Sequence, residues 1–398
     1  MKITFVSNFL NHHQLPFCLK LKELTGDNFT FVATTPVPGD RLSLGYYNMN
    51  EGYDFVIRAY ESDAEMERGK VAAFDADVLL VGGIHDPRAN VFVAPRAARG
   101  KISFLYCERR YKRGFLRMFS PKNISIIRSC HNAHRKDKVY MLCASAYTAK
   151  DYALTRSYID KTYKWGYFPK VEAYDIDALM AQKRRNDPIK IMWCARFIPW
   201  KHPEAMIALA ERLKKNGYRF SIEMVGNGEM LESFKSTVKE KGLSDEIHVL
   251  GSMSPEKVRE HMKAASLFIF TSDFNEGWGA VLNESMNSGC AVISSHAIGS
   301  TPFLISHEKN GLVYKNGSDN SIFAAVKRLL DDSAFCEALG RAAYETMVSE
   351  WAPEAAAERF VALSEALMND QDTPFSSGPC SRAERIGQMR MYRYLTKR

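Results

Sequence analysis

Short, nearly continuous apolar runs recur along the chain, separated by longer stretches in which apolar residues return every third or fourth position. Such runs mark strands covered on both faces, and the stretches between them mark amphipathic helices. The runs predict strands over Lys2–Ser7, Phe29–Ala33, Val78–Val81, Ile102–Tyr106 and Val139–Ala144 in the first half. In the second half they predict Ile189–Cys194, Phe220–Val225, Ile247–Leu250, Leu267–Thr271 and Ala291–Ser294. Between two of these, Pro203 to Gly217 has proline at its start, glycine past its end, and Met206, Leu209, Ala210 and Leu213 along one face. That is the pattern of a capped helix. Strand and helix in strict alternation imply βαβ units and parallel sheets, an α/β fold.

At 398 residues the chain is long enough for two cores rather than one. The polar, proline-bearing stretch 184–188 precedes a fresh strand and reads as the linker. The expected division is 1–180 and 189–369, with the last helix of the second domain free to pack back on the first. Residues 371–398 combine Pro, Ser and Gly with Arg382, Arg385, Arg390, Arg393, Lys397 and Arg398, and read as a basic tail, flexible or weakly helical. No apolar run approaches the roughly 20 residues that cross a bilayer. The N-terminus turns polar too soon for a secretory signal, so a cytoplasmic protein is expected.

Composition adds little to this frame. Hydrophobic residues are 46% and charged residues 25%, the balance of a folded chain. The eight cysteines form no CxxC pair, and several fall inside apolar strands, which fits buried free thiols. His131 and His134 lie three apart but are flanked by Arg128, Arg135 and Lys136, so no metal site is expected. The net charge of +8 allows nucleic acid, anionic lipid or phosphorylated ligands. No nucleic-acid module is present to favour the first.

Candidate chemistry gathers at the ends of the second-half strands. After Thr271 comes a loop with Glu276, the turn Gly277-Trp278-Gly279, and a helix carrying Glu284. Strand, glycine turn and helix together aim free N–H groups at an anion, and carboxylates beside them suit sugar or ribose hydroxyls. Glu276 capping the helix and Glu284 on a solvated face is the alternative. After Cys194, Arg196 and Lys201 place two cations where a diphosphate could sit, unless they are ordinary loop charges. Gly226-Asn227-Gly228 lets backbone approach a ligand closely, but falls short of a dinucleotide fingerprint.

In their order along the chain these elements resemble the retaining glycosyltransferases of family 4. With them run the strand from Cys290 and the turn at Asn310-Gly311-Leu312-Val313. Asn11-His12-His13-Gln14 and Trp165-Gly166-Tyr167-Phe168-Pro169 are similar to a bacterial polysaccharide-biosynthesis branch. The resemblance implies a GT-B fold, two Rossmann-like doubly wound parallel-sheet domains facing a central cleft. It implies Arg196 and Lys201 on the donor diphosphate, and Gly226, Asn227 and Gly228 near the nucleotide. It also implies Glu276 with the Gly277, Trp278 and Gly279 backbone on the donor sugar, and Glu284 on the ribose. The donor would be a UDP- or GDP-sugar, with neither metal nor cofactor, and the acceptor a saccharide, lipid-linked in surface polysaccharide assembly. A nucleotide-sugar epimerase of the same plan, needing no acceptor, and a non-catalytic nucleotide-binding partner subunit are the alternatives. The intact carboxylate pair argues against the second.

The first half is less explicit. Relatives often carry a histidine after the fourth strand, where this chain has Cys107-Glu108-Arg109-Arg110. Glu108, or His85 in Gly83-Ile84-His85-Asp86, are strand-end candidates for the acceptor side, and each has a structural reading as well. Residues 109–138 carry ten Arg and Lys (Arg109, Arg110, Lys112, Arg113, Arg117, Lys122, Arg128, Arg135, Lys136 and Lys138) interleaved with Phe115, Leu116, Met118 and Phe119. That pattern suits peripheral binding to an anionic membrane, or else a solvated charged surface.

Overall fold

The computed structural model describes every residue except 40–46, 113 and 398, together with all side chains outside these except 115 and 117. Arg113, Arg398 and the side chains of Phe115 and Arg117 therefore lie outside the described residues. The chain forms two compact units, Met1–Lys170 with Glu350–Gly387, and Val171–Ser349 with Gln388–Arg398.

The first unit holds a parallel sheet of seven strands: β1 (Ile3–Ser7), β2 (Phe29–Ala33), β3 (Val56–Arg58), β4 (Val78–Gly82), β5 (Ile102–Cys107), β6 (Val139–Cys143) and β7 (Thr162–Lys164). They lie side by side in the order β3-β2-β1-β4-β5-β6-β7. Every residue of β1 and β4 is buried, which is why these strands read as unbroken apolar runs. The second unit holds a parallel sheet of six: β8 (Ile189–Cys194), β9 (Phe220–Val225), β10 (Ile247–Gly251), β11 (Leu267–Phe270), β12 (Ala291–Ser295) and β13 (Leu312–Tyr314), in the order β10-β9-β8-β11-β12-β13. The predicted helix runs Glu204–Lys215 and buries Met206, Leu209, Ala210 and Leu213 as expected.

The units divide at Lys170 and not within 184–188. The stretch to Arg184 is the end of a helix, Ile176–Arg184, anchored in the second unit. The buried Lys183 ammonium donates to the carbonyls of Met262 (3.1 Å) and Ala265 there. Polarity at 184–188 reflects an exposed turn into β8, not a hinge.

The C-terminal stretch is ordered rather than flexible. Cys380 and Ser381 are buried, and their backbone extends the first sheet past β7. Lys164 N–H donates to Ser381 O (2.7 Å), and Cys380 N–H to Lys164 O (2.8 Å). Composition reports side chains, whereas this segment is held by main-chain bonds to a sheet edge. It ends in a helix, Gln388–Thr396, in the second unit.

Candidate active site

Strand order in the second sheet runs outward in both directions from the neighbours β8 and β11. In open α/β sheets, ligands bind beyond the carboxyl ends of such strands. The loop after β8 carries Arg196 and Lys201; the loop after β11 carries Glu276. Main-chain and side-chain bonds stitch the two loops together. Thr271 accepts from the Trp193 indole N–H (2.8 Å) and donates to the Lys201 carbonyl. Asp273 N–H donates to Trp200 O (3.1 Å).

This stitching sets Lys201 Nζ on Glu276 Oε2 as an ion pair, each side chain only 11% exposed. Ser272 Oγ donates to the same carboxylate oxygen at 3.0 Å. The Lys201 ammonium also lies over the Trp200 ring at 4.4 Å. Two charges so far out of water persist because each satisfies the other. Glu276 is thus neither a helix cap nor a solvated residue, and Lys201 is not a free cation. Arg196 differs: it is exposed, and its side chain makes no hydrogen bond or ion pair among the described residues. Its guanidinium stands 5.8 Å from the Trp200 ring centroid.

The glycine turn after β9 lies directly under the Arg196 loop. Ala195 N–H donates to Val225 O (3.1 Å), and Phe197 N–H to Asn227 O (2.9 Å). A Cβ on Gly226 would stand 1.9 Å from the Ala195 carbonyl oxygen, and one on Gly228 2.4 Å from that of Phe197. Both glycines also hold positive φ, 144° and 155°. They are needed so that one loop can pack on the other. Asn227 is exposed and its Oδ1 accepts from Gly228 N–H (2.8 Å).

Gly277, Trp278 and Gly279 lead into the helix Val281–Asn287. The side chain of Trp278, whose backbone is the part expected on the donor, is fully buried, and its Nε1–H donates to Asn283 Oδ1 (2.9 Å). Only its backbone is left to face a ligand. Glu284 is half-buried and its carboxylate makes no hydrogen bond among the described residues. Burial pushes its pKa up, with Arg259 pulling partly back. The Cys194 thiol at the end of β8 is raised to about 12, first by burial and then by the Glu284 charge, which places Glu284 beside that strand end. Ser272, Arg259 and Trp200 complete the site and went unforeseen. Arg259 donates to Glu284 O (2.7 Å) and Asn287 Oδ1 (3.0 Å) from a neighbouring helix, a position that no local pattern marks.

In the first unit the loops after β1, β4 and β5 gather polar residues at one sheet edge. Gln14 Nε2 donates to Ser7 Oγ and to the Tyr106 hydroxyl, both at 3.1 Å. The His13 ring stacks on Tyr167, centroids 5.7 Å apart. Glu108 accepts from Tyr167 OH (2.7 Å) and pairs with Lys112. His85 is exposed at a helix N-cap and makes no capping bond. Its neighbour Asp86 instead pairs with Arg110 at 2.5 Å and approaches His131 at 3.4 Å. Burial alone would raise the Asp86 pKa, but His131 and Arg110 outweigh it and hold it at about 2. Arg109 is buried against Asp151 (3.6 Å). Arg109 and Arg110 therefore point inward, which removes them from the basic surface expected over 109–138. Among the described residues no group of three or more His, Cys, Asp or Glu is placed to hold a metal.

Residues 175–346 match the family model described as glycosyl transferases group 1. That segment is a group 1 glycosyltransferase domain. Among curated proteins, the chain is 24% identical over 179 residues to the GDP-mannose-dependent alpha-(1-6)-phosphatidylinositol monomannoside mannosyltransferase of Mycobacterium tuberculosis, covering 44% of this chain and 46% of that one. It is 26% identical over 177 residues to the lipopolysaccharide core biosynthesis glycosyltransferase LpsD of Rhizobium meliloti (44% and 49%). It is also 26% identical over 154 residues to the amylovoran biosynthesis glycosyltransferase AmsK of Erwinia amylovora (37% and 38%). These matches span less than half the length of each relative. Among solved structures, Anabaena HepE in complex with UDP aligns with a TM-score of 0.67 at 15% identity, over 93% of this chain and all of that one. A glycosyltransferase from Rickettsia africae aligns with a TM-score of 0.63 at 14% identity, over 93% and 99%. The fold is GT-B.

Proposed function

We propose that this chain transfers a sugar from a UDP- or GDP-sugar to a saccharide acceptor in surface polysaccharide assembly. The arrangement at the β8–β11 switch point carries the reading: an unpaired Arg196, a buried Lys201–Glu276 pair and an unsatisfied Glu284 around one glycine-lined edge. Arg196 and Lys201 take the donor diphosphate, Glu276 the donor sugar hydroxyls, and Glu284 the ribose. Reaction proceeds with retention. The bond from C1 to the diphosphate breaks, the acceptor oxygen bonds C1 on the same face, and its proton passes to the departing phosphate oxygen. The two cations stabilise the charge growing on that phosphate, so the reading calls for no metal. Glu108, held by Tyr167 and Lys112, is the acceptor-side carboxylate, and His85 has no comparable support. The named relatives act in lipopolysaccharide, amylovoran and phosphatidylinositol mannoside synthesis, which supports a saccharide acceptor, and a lipid-linked one in the last case.

The test is thermal stabilisation by UDP, GDP, ADP and CMP without metal, in the wild type and in Glu284→Ala. A ligand at a hundred times its Kd adds about 2.7 kcal/mol. One nucleotide should stabilise selectively, and Glu284→Ala should abolish the effect. No shift with any of the four would overturn the donor site. Product formed without acceptor would instead indicate an epimerase.

Peripheral attachment to the inner leaflet belongs to the same reading. Leu116 and Phe119 are 72% and 60% exposed, beside exposed Lys122 and Arg128. Exposed apolar side chains among cations suit an anionic interface. Flotation should require anionic lipid and fail in Leu116→Ser/Phe119→Ser. Binding indifferent to lipid charge would refute it.

A further inference from the structure

The last helix, Gln388–Thr396, sits in the second unit on two buried residues one turn apart, Met391 and Leu395. Its Tyr392 ring meets His296 at 5.4 Å, and His296 meets Phe274 edge-on at 5.5 Å. His296 follows β12. Phe274 stands in the loop after β11, two residues before Glu276. Between this loop and the terminal helix runs an open groove lined by Phe274, His296, Lys315, Gln388, Tyr392 and Arg393.

The lining has a definite chemistry. It offers three rings and two cations, and no carboxylate. Lys315 and Arg393 are exposed, and neither makes an ion pair among the described residues. His296 is not a third cation: burial lowers its pKa to about 4, and its Nδ1 accepts from Asn316 N–H at 3.0 Å, leaving the ring proton on Nε2. A concave site of apolar faces with a few directed polar groups is the usual form of a small-ligand site. Ring faces suit the C–H face of a pyranose. Arginine and lysine at the rim select a carboxylate or phosphate, the arginine bidentately.

We infer that this groove is a subsite for an anionic saccharide, a pyranose bearing a carboxylate or a phosphate, held beside the Glu276 loop. The inference rests on the glycosyltransferase reading and deepens it, since it gives the acceptor a charge. It also gives the terminal helix a function that folding does not require, because Tyr392 and Arg393 face the groove while Met391 and Leu395 do the packing.

The experiment is saturation-transfer NMR on the full chain with methyl glucuronide, glucose 6-phosphate and methyl glucoside, with thermal stabilisation by nucleotide read on the same samples. At least one charged sugar should give signal where the neutral glucoside does not, and which one does identifies the substituent. Lys315→Glu and Arg393→Glu should each lose that signal while nucleotide stabilisation stays as in the wild type. Equal signal from the neutral sugar, no signal from any of the three, or signal that survives both variants overturns the subsite. Failure of nucleotide stabilisation in the wild type would instead count against the donor reading, so the two failures are distinct.

Discussion

Lys201 and Glu276 stand 75 positions apart, and each is foreseeable as a charge at a strand end. What the pattern of residues does not carry is that they meet, because the loops holding them are stitched through Thr271, Trp193 and Trp200. The pairing separates two kinds of cation. Lys201→Ala leaves the Glu276 charge buried and alone, and should cost about 3 kcal/mol in urea denaturation. Lys201→Met/Glu276→Leu removes both charges and should recover most of that loss, yet restore no transfer activity. A double variant as unstable as the single would show that something other than the pair holds the loop. Arg196 is exposed and unpaired, so Arg196→Ala should change stability by less than about 0.5 kcal/mol. It should lower turnover on the order of a hundredfold if its guanidinium stabilises departing phosphate. Parallel losses of melting temperature and turnover would mark a structural role instead.

Strands were the most legible elements, and the reason is burial on both faces. Phe29–Ala33, Ile189–Cys194 and Phe220–Val225 follow their apolar runs to the residue. The strands that escaped, Val56–Arg58, Thr162–Lys164 and Leu312–Tyr314, are three residues long, too short for a period to register. All three, β3, β7 and β13, stand at the end of the strand order in their sheets. The turn after β9 was legible for its glycines, but their cause was not. A ligand's approach was the expectation, and the structure adds the approach of another loop. Gly226→Ala must relieve a 1.9 Å contact with a backbone oxygen at positive φ, so it should cost at least about 2 kcal/mol. It should also displace Arg196 and weaken nucleotide stabilisation. Gly217→Ala is the control. It shares positive φ (75°) but nothing lies within 4 Å of its added Cβ, so it should cost about 1 kcal/mol and leave nucleotide binding intact. Equal effects from both variants would show that conformational strain, and not loop packing, explains the turn.

At the scale of the whole molecule, a division by composition and a division by contact disagree. Polarity suggested a boundary at 184–188 and a second domain running to 369, with its last helix free to pack back on the first; packing divides the chain at Lys170 and assigns Glu350–Gly387, that helix included, to the first unit. The helix Pro353–Met368 explains why, through one residue. Phe360 is fully buried, with its ring 5.1 Å from Phe104, 5.8 Å from Trp165 and 6.0 Å from Phe17. All three partners lie in the first unit, far back along the chain, where a local apolar period cannot reveal them. Phe360→Ala should open a cavity there and cost about 3–5 kcal/mol. In calorimetry with and without the stabilising nucleotide, the ligand should raise the transition of the second unit, which holds the donor residues. Phe360→Ala should lower the other transition and leave the ligand-sensitive one in place. If the substitution instead lowers the ligand-sensitive transition alone, the segment belongs energetically with the donor domain. The boundary read from composition would then describe the folding units better than the contacts do.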